Sequence, residues 1–354
     1  MTSISPHYFQ KTLLNWFDHS GRKNLPWQHN KTPYRVWISE IMLQQTQVST
    51  VIPYYHRFMS RFPDLASLAT AEEDEVLHLW TGLGYYSRAR NLLKAAQMIQ
   101  NTLQGRFPDT LEDLIQLPGI GHSTAGAILS IAWQKPATIL DGNVKRVLTR
   151  LYGVTTWPGE KNTLDLLWDL AQQLTPVKRI ADYTQAIMDL GATLCTRSKP
   201  QCDICPFHKR CVAHQLGIAH QLPKSKPQKQ RPVKQTTFLI VQYKNKVLLE
   251  KRPQTGIWAG LWSLPQIEHV FSIKDIQQSC LKMLKLKPQT IELGHPFRHT
   301  FSHFHLDIVP AFITLKSIPA KIMDSEHQIW YNLNQSQTIG LPAPVKKLLE
   351  SLAL

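Results

Sequence analysis

Residues 117–128 read LPGIGHSTAGAI, a Pro-Gly-x-Gly turn that runs straight into an alanine-rich, small-residue helix start. Gly119 and Gly121 bracket Ile120, and their missing side chains let backbone N–H groups approach a phosphate at the positive N-terminus of the next helix. Pro118 fixes the approach to the turn. FPDTLEDLIQ upstream and STAGAILSIAW downstream both read as helices, so the stretch predicts a helix-hairpin-helix. A turn of this kind alone is equally compatible with a plain interhelical connection. Its surroundings decide.

Up to about residue 215 the hydrophobic period is helical, as in TLLNWFDHS, DEVLHLWTGLG and SRARNLLKAAQMIQNTL, with Gly and Pro breaks between segments. Residues 221–235, QLPKSKPQKQRPVKQ, hold three prolines, five basic residues and no acids, and read as a linker. Beyond it, TTFLIVQYKNKVLLEKR pairs two β-rich runs across Lys244-Asn245-Lys246, and FSHFHLDIVPAFITL supplies further strands. The expectation is a mostly α helical domain over residues 1–220, a basic linker over 221–235, and an α+β domain over 236–354.

The 354 residues carry 43% hydrophobic and 18% charged side chains, as expected of a folded globular protein rather than a disordered one. No apolar run approaches the roughly 20 residues that span a bilayer, and MTSISPHYFQ lacks a signal-peptide layout. A cytoplasmic protein without a membrane partner is expected, acting as a monomer. Forty Lys+Arg against 25 Asp+Glu leave a formal charge of +15, which favours a polyanion, because neutralising phosphates releases condensed counterions. Nucleic acid is the natural partner, with a basic protein lacking one as the alternative.

Of five cysteines, four fall between residues 195 and 211. Cys195, Cys202, Cys205 and Cys211 follow C-x6-C-x2-C-x5-C, a metal-site arrangement rather than a disulfide framework. Four thiolates hold either zinc or a [4Fe–4S] cluster. Zinc usually takes two paired Cys-x2-Cys knuckles, and a single knuckle with wide flanks suits the cluster better.

Taken together, the hairpin, the Asp of ILDGNVKRVLTR and the four-cysteine run resemble the endonuclease III superfamily of DNA glycosylases. WISEIMLQQTQV, LWTGLGYYSRARNL, LPGIGHSTAGAI and FSHFHL, in that order, resemble the MutY-type adenine DNA glycosylases over nearly the whole chain. The resemblance implies a helix-hairpin-helix glycosylase domain with a [4Fe–4S] cluster on Cys195, Cys202, Cys205 and Cys211, joined to a C-terminal Nudix-like domain. The implied partner is double-stranded DNA carrying adenine opposite 8-oxoguanine or guanine. The implied activity is excision of that adenine in base excision repair. The cluster loop, with Lys209 and Arg210, is expected to lie against DNA.

Breaking an N-glycosidic bond leaves a sugar cation and a poor leaving base, which calls for an acid at the base and negative charge beside the sugar. Glu40 lies among Val36, Trp37, Ile38, Ile41, Met42 and Leu43, a setting that would raise its pKa and keep a proton available. Read locally, it is equally a helix-surface Glu beside Gln44. Asp141 precedes GNVKRVL and reads locally as a helix N-cap. The resemblance implies that Glu40 protonates adenine N7, that Asp141 stabilises the sugar cation or bonds to it transiently, and that Asn143 orients Asp141.

Strand-cleaving relatives carry a lysine two residues after the last hairpin glycine, where it forms a Schiff base with the sugar. Ser123 stands there in this chain, and a hydroxyl forms no imine. Ser123 therefore reads as a substrate-contacting or helix-capping residue, and the expected enzyme is monofunctional. The resemblance further implies that Gln44, Gln45 and Tyr85 contact DNA beside the lesion, where an aromatic face can wedge into the base stack, together with Gly119 and Gly121 at the hairpin. Locally the glutamines read as solvated and Tyr85 as core.

KRPQTGIWAGLWSLPQ resembles a Nudix fold, yet between Glu268 and Glu292 only Asp275 is acidic, too few carboxylates for the Mg2+ site of a Nudix hydrolase. Such a domain reads a base without reacting. The resemblance assigns 8-oxoguanine contact to Phe301, Ser302 and His303. A zinc site on His299, His303 and His305 is an alternative for the same stretch. Rival readings of the whole chain are an endonuclease III-type glycosylase-lyase, a cluster-bearing DNA-binding regulator and a Nudix hydrolase.

Overall fold

The computed structural model describes residues 4–226, 230–268, 272–317, 327–335 and 337–353. Residues 227–229 of the expected linker and parts of the expected C-terminal domain lie outside the described residues. The chain divides into two compact units, Met1–Thr70 with Asn91–Gln228, and Ala71–Arg90 with Lys229–Leu354. The second contains a stretch, 71–90, that the sequence places in the helical half.

The first unit is helical. Pro6–Ser20 starts where the Ser5 side chain accepts from the Tyr8 N–H and Pro6 occupies the first turn, and it buries Phe9, Leu13 and Phe17 on one face. Pro33–Leu43 begins the same way, capped by Thr32. The main core gathers Phe9 and Leu13 with Val144, Val147, Leu148 and Leu151 of the helix Gly142–Tyr152 and Ile180, Tyr183, Ala186 and Ile187 of Ile180–Asp189.

The hairpin has an unequal pair of helices. Its first member is a single turn, Leu111–Leu114, capped by Thr110, where FPDTLEDLIQ predicts a longer helix. Pro118 has no N–H to continue it, and the chain instead closes a turn through Ile120 N–H to the Leu117 carbonyl, 3.1 Å. Gly119 sits at φ 82, and a Cβ there would meet the Asn91 side chain at 3.0 Å. The second helix, His122–Trp133, is stopped by Gln134 in the left-handed region.

The segment after that helix folds back along it. The Ser130 hydroxyl donates to the Ala137 carbonyl at 3.1 Å, and the Leu140 N–H donates to the Ser123 hydroxyl oxygen at 3.0 Å. Between them Gly126 lies so close that an added Cβ would be 2.3 Å from the Thr138 carbonyl oxygen. Positions 123, 126 and 130 recur at helical spacing and form one face of small residues. They hold the extended segment that ends at Asp141.

Among the described residues the second unit has one eight-stranded mixed sheet. Its strands are β1 (Val233–Tyr243), β2 (Lys246–Lys251), β3 (Trp262–Ser263), β4 (Gln266–Glu268), β5 (Thr290–Leu293), β6 (Phe297–Thr300), β7 (His305–Thr314) and β8 (Gln328–Asn332). The main order is β3-β2-β1-β7-β5, with β4 on β1, β6 on β7 and β8 on β2. β1 starts at Val233, inside the stretch that reads as a linker. β1 and β2 make the hairpin expected at Lys244-Asn245, with Tyr243 opposite Lys246 and Lys244 at φ 53. β1 and β7 run parallel from Val233 opposite His305 to Gln242 opposite Thr314. The run Thr236–Val241 is buried at every position, as a strand covered on both faces demands. Ile276, Cys280 and Leu284 cover one face against Leu239, Val241, Ala311 and Ile313.

The close approach at Gly126 gives a stability test. Gly126→Ala forces helix and segment apart and should lower the unfolding midpoint of the helical unit by about 3–10 °C, read by calorimetry. An unchanged or raised midpoint would mean that the segment does not press on this helix.

Candidate active site

Glu40 stands one turn before the end of Pro33–Leu43. Its helix is tied to the hairpin helix by the next residues, where Gln44 Nε2 donates to Thr124 Oγ1 at 3.3 Å and Gln45 turns into the left-handed region at φ 56. The Glu40 side chain is half-buried and crowded by protein. Burial pushes its carboxyl up to about 8, and the negative charge of Asp141 pushes in the same direction. Two carboxyl groups that were far apart in sequence thus feel one another across a single site.

Asp141 caps the helix Gly142–Tyr152. Its Oδ1 accepts from the Val144 N–H at 2.8 Å and its Oδ2 from Asn143 Nδ2 at 3.0 Å. The local cap reading and the role implied by the resemblance are therefore compatible, because the cap uses one oxygen and the second is oriented by Asn143. Burial raises the Asp141 pKa, while these donors and the nearby Arg146 guanidinium pull it back. Glu40 has no comparable set of donors among the causes of its shift. Burial raises both carboxyls, and only Asp141 has hydrogen-bond donors and a nearby guanidinium that oppose the rise.

Ser123 points into the protein. Its oxygen accepts from the Leu140 N–H, one residue before Asp141, so the hydroxyl steadies the segment that delivers the carboxylate. Gly121 caps the hairpin helix with open space where a Cβ would stand, the condition for a phosphate to approach the helix N-terminus.

Arg146 is a residue that sequence reasoning missed. It donates to Asn143 Oδ1 at 2.8 Å, to the Gly191 carbonyl at 2.7 Å and to the Cys195 carbonyl at 2.7 Å. Arg146, Asn143 and Asp141 form a continuous chain of hydrogen bonds ending at the first cysteine of the C-x6-C-x2-C-x5-C run. The signal was present in ILDGNVKRVLTR, where Arg146 falls three residues after Asn143 on one helix face.

Cys195, Cys202, Cys205 and Cys211 line one cavity of about 30 Å3 together with Arg150. Arg150 is 1% exposed, and its guanidinium donates to the carbonyls of Thr196, Arg197 and Leu222 and to Cys195 Sγ at 3.3 Å. Backbone N–H groups of Phe207, Ala213 and His214 aim at the sulfurs of Cys205 and Cys211. A buried cation beside four sulfurs needs compensating negative charge, so the donor set fits a thiolate-held, anionic group. Among the described residues, no three His, Cys, Asp or Glu side chains are gathered tightly enough to hold a single metal ion. At the stretch His299, His303 and His305, His305 Nδ1 bonds to Thr300 Oγ1 at 2.9 Å.

In the second unit, Phe301, Ser302 and His303 form the turn between β6 and β7, closed by Phe301 N–H to the Phe304 carbonyl at 2.9 Å. Phe301 stacks on Phe304 at 4.6 Å and packs against Trp258 at 5.3 Å, leaving Ser302 and His303 exposed. Tyr85, also in this unit, is 49% exposed with φ 49, so it is not the core residue of the local reading. Asp275, the sole acid between Glu268 and Glu292, accepts from the Ser272 hydroxyl at 2.8 Å at the start of Ile273–Ser279. Asp275 is the one acid of the helix Ile273–Ser279.

Residues 38–173 match the HhH-GPD superfamily base excision DNA repair proteins, and residues 236–351 match the NUDIX domain. The adenine DNA glycosylase of Buchnera aphidicola subsp. Acyrthosiphon pisum is 43% identical over 98% of this chain and 98% of its own length. The chain belongs to the adenine DNA glycosylase family. Its members are DNA N-glycosylases, and DNA is their partner. The adenine DNA glycosylase of Mus musculus is 34% identical over 90% of this chain and 75% of its own. A thermostable thymine-DNA glycosylase is similar in structure, with a TM-score of 0.54, 28% identity, and coverage of 60% of this chain and 97% of that one.

The raised pKa of Glu40 in this glycosylase links stability to pH. An ordinary Glu has a value of 4.5, whereas the folded protein holds the proton up to about 8. Stability from this group is complete below the lower value and is lost as pH rises through the upper one. Glu40→Gln removes the dependence. Unfolding midpoints of E40Q and the parent should nearly coincide near pH 5 and diverge by about pH 8.5, with E40Q the more stable. A gap that does not change with pH would place Glu40 in an ordinary environment.

Proposed function

We propose that this chain excises adenine opposite 8-oxoguanine or guanine by hydrolysis, without cutting the strand. The observation that carries the reading is the Glu40–Asp141 pair, one carboxyl held protonated to about 8 within electrostatic reach of another that hydrogen bonds favour as the anion. With adenine flipped out of the duplex, Glu40 gives its proton to N7 and the base leaves with the electrons of its bond to C1′. Asp141 faces the sugar cation, and water supplies the oxygen that replaces the base. Gln44, Gln45, Gly119 and Gly121 hold the DNA around this site, and Tyr85 fills the gap in the stack.

Ser123 supports hydrolysis rather than strand cleavage. No imine forms at a hydroxyl, and this hydroxyl is engaged by the Leu140 N–H. The exposed Ser302 and His303 on a turn backed by aromatic rings support reading of the base opposite adenine. Cys195, Cys202, Cys205 and Cys211 would hold a [4Fe–4S] cluster, which when bound supplies structural support and negative charge for Arg150. Arg146 then ties that loop to Asn143 and Asp141. The formal charge of +15 supports a DNA partner, and the proposal extends to a monomer in the cytoplasm.

Glu40→Gln should lower single-turnover adenine release by about 100-fold or more while leaving the Kd for the mispaired duplex near that of the parent. Release at the parental rate would remove Glu40 as the acid. Duplexes with adenine opposite 8-oxoguanine and opposite guanine should both lose the base and break only after alkali, whereas an oxidised pyrimidine should survive. Borohydride trapping of the protein on DNA would refute the monofunctional reading.

A further inference from the structure

Residues 71–90 carry Tyr85 and belong to the compact unit of the β-sheet, not to that of Glu40 and Asp141. They are pinned there along their whole length. Near one end, Asp74 Oδ2 accepts from both Lys251 Nζ at 3.0 Å and Trp262 Nε1 at 3.1 Å. Along the helix Glu73–Trp80, His78 Nδ1 meets the Ile339 carbonyl at 3.1 Å, and Gly340 lies against Leu77 so closely that a Cβ would be 2.5 Å from it. Beyond the helix, the Tyr86 hydroxyl donates to the Leu341 carbonyl at 2.9 Å and the Leu341 N–H donates to Thr81 Oγ1 at 3.2 Å. At the far end Arg90 donates to the Gln254 carbonyl at 3.1 Å.

The Tyr85 turn is also defined from within. Gly82, Gly84 and Tyr85 all have positive φ, at 99, 77 and 49. Trp80 Nε1 and Arg88 each donate to the Gly84 carbonyl at 3.1 Å. An aromatic residue in the left-handed region persists only where its surroundings over-determine it. Here those surroundings include the same unit that presents Phe301, Ser302 and His303.

We propose that Asp74 is a positioning residue: through Lys251 and Trp262 it fixes the Tyr85 turn in one unit with the Phe301–Ser302–His303 turn, so that recognition of the base opposite adenine and wedging of the stack are set together. The inference rests on the reading of that turn as the 8-oxoguanine reader. Asp74 is suited to the task because a single carboxylate oxygen receives one charged and one neutral donor in a half-buried ion pair, 26% and 27% exposed at Lys251 and Asp74. The Trp262 indole is 5% exposed, and its N–H donates to Asp74 Oδ2. Truncating Asp74 leaves both donors without their shared acceptor, which frees the start of the helix while leaving the Glu40 and Asp141 carboxyls untouched.

The test uses the full-length protein with its bound cofactor and three variants, Asp74→Ala, Lys251→Met and Trp262→Phe. Two quantities are measured. One is the ratio of single-turnover adenine release opposite 8-oxoguanine to release opposite guanine. The other is the fluorescence rise of 2-aminopurine placed next to the opposite base, which reports unstacking by the wedge. Asp74→Ala should lower the ratio about ten-fold and suppress the fluorescence rise, with Lys251→Met and Trp262→Phe giving smaller changes in the same direction. A general loss of fold would instead slow both mispairs equally, leave the ratio unchanged and overturn the proposal. Parental ratios and fluorescence in Trp262→Phe and Asp74→Ala would also overturn it. If Asp74→Ala does not fold, Trp262→Phe, which keeps an aromatic ring in the core, decides by the same criteria. A parent protein with no preference for 8-oxoguanine would sink the reader assignment instead, and the 2-aminopurine signal opposite guanine would still decide whether Asp74 sets the wedge.

Discussion

The helical unit depends on the absence of side-chain bulk along one face of the helix His122–Trp133. Because Gly126 has no Cβ, the segment after the helix can lie with the Thr138 carbonyl where a methyl group would otherwise stand. Ser130 and Ser123 bond the two ends of that segment. The return path ends at Asp141, which starts the next helix as its cap. One close backbone approach therefore sets both the placement of the Asp141 carboxylate and the start of the helix that carries Asn143 and Arg146.

From that placement the electrostatics follow. Asp141 has donors from Val144 and Asn143, and Asn143 is held in turn by Arg146. Glu40 lies close enough for the charge of Asp141 to oppose its ionisation, in a crowded setting that opposes it further. The same pair would be worthless as an acid and an anion if both were solvated, since both would ionise together near their ordinary values. Protein packing makes the difference between them.

Much of this was legible in the sequence where the information is local. The hairpin glycines, the cap at Asp141, the turn at Lys244-Asn245 and the spacing of the four cysteines are all short-range patterns, and the apolar neighbours of Glu40 announced its raised pKa. The length of the first hairpin helix was not legible, because FPDTLEDLIQ favours helix until Pro118, whereas three-residue turn bonds at Gln116 and Leu117 replace the helical pattern after Leu114. Ser123 reads in the sequence as a substrate-contacting or helix-capping residue, and its bond to the Leu140 N–H was not legible because that partner becomes a neighbour only when the chain folds back. Tyr85 was equally opaque. Periodicity assigns DEVLHLWTGLG to a helical half, and nothing local reveals that Asp74 meets Lys251 and Trp262.

The membership of residues 71–90 in the second unit also bears on how the chain is made. This stretch leaves the ribosome early, whereas its partners at Lys251, Trp262 and Leu341 come near the end of synthesis. The central ladder of the sheet is parallel and joins Val233 to His305, a non-local pairing of the kind that forms slowly. A nascent chain therefore holds a helix whose apolar side chains Val76, Leu77 and Trp80 lack these partners until the later residues have been made. Premature termination would leave that helix exposed, giving truncated products a ready site for chaperone capture or aggregation.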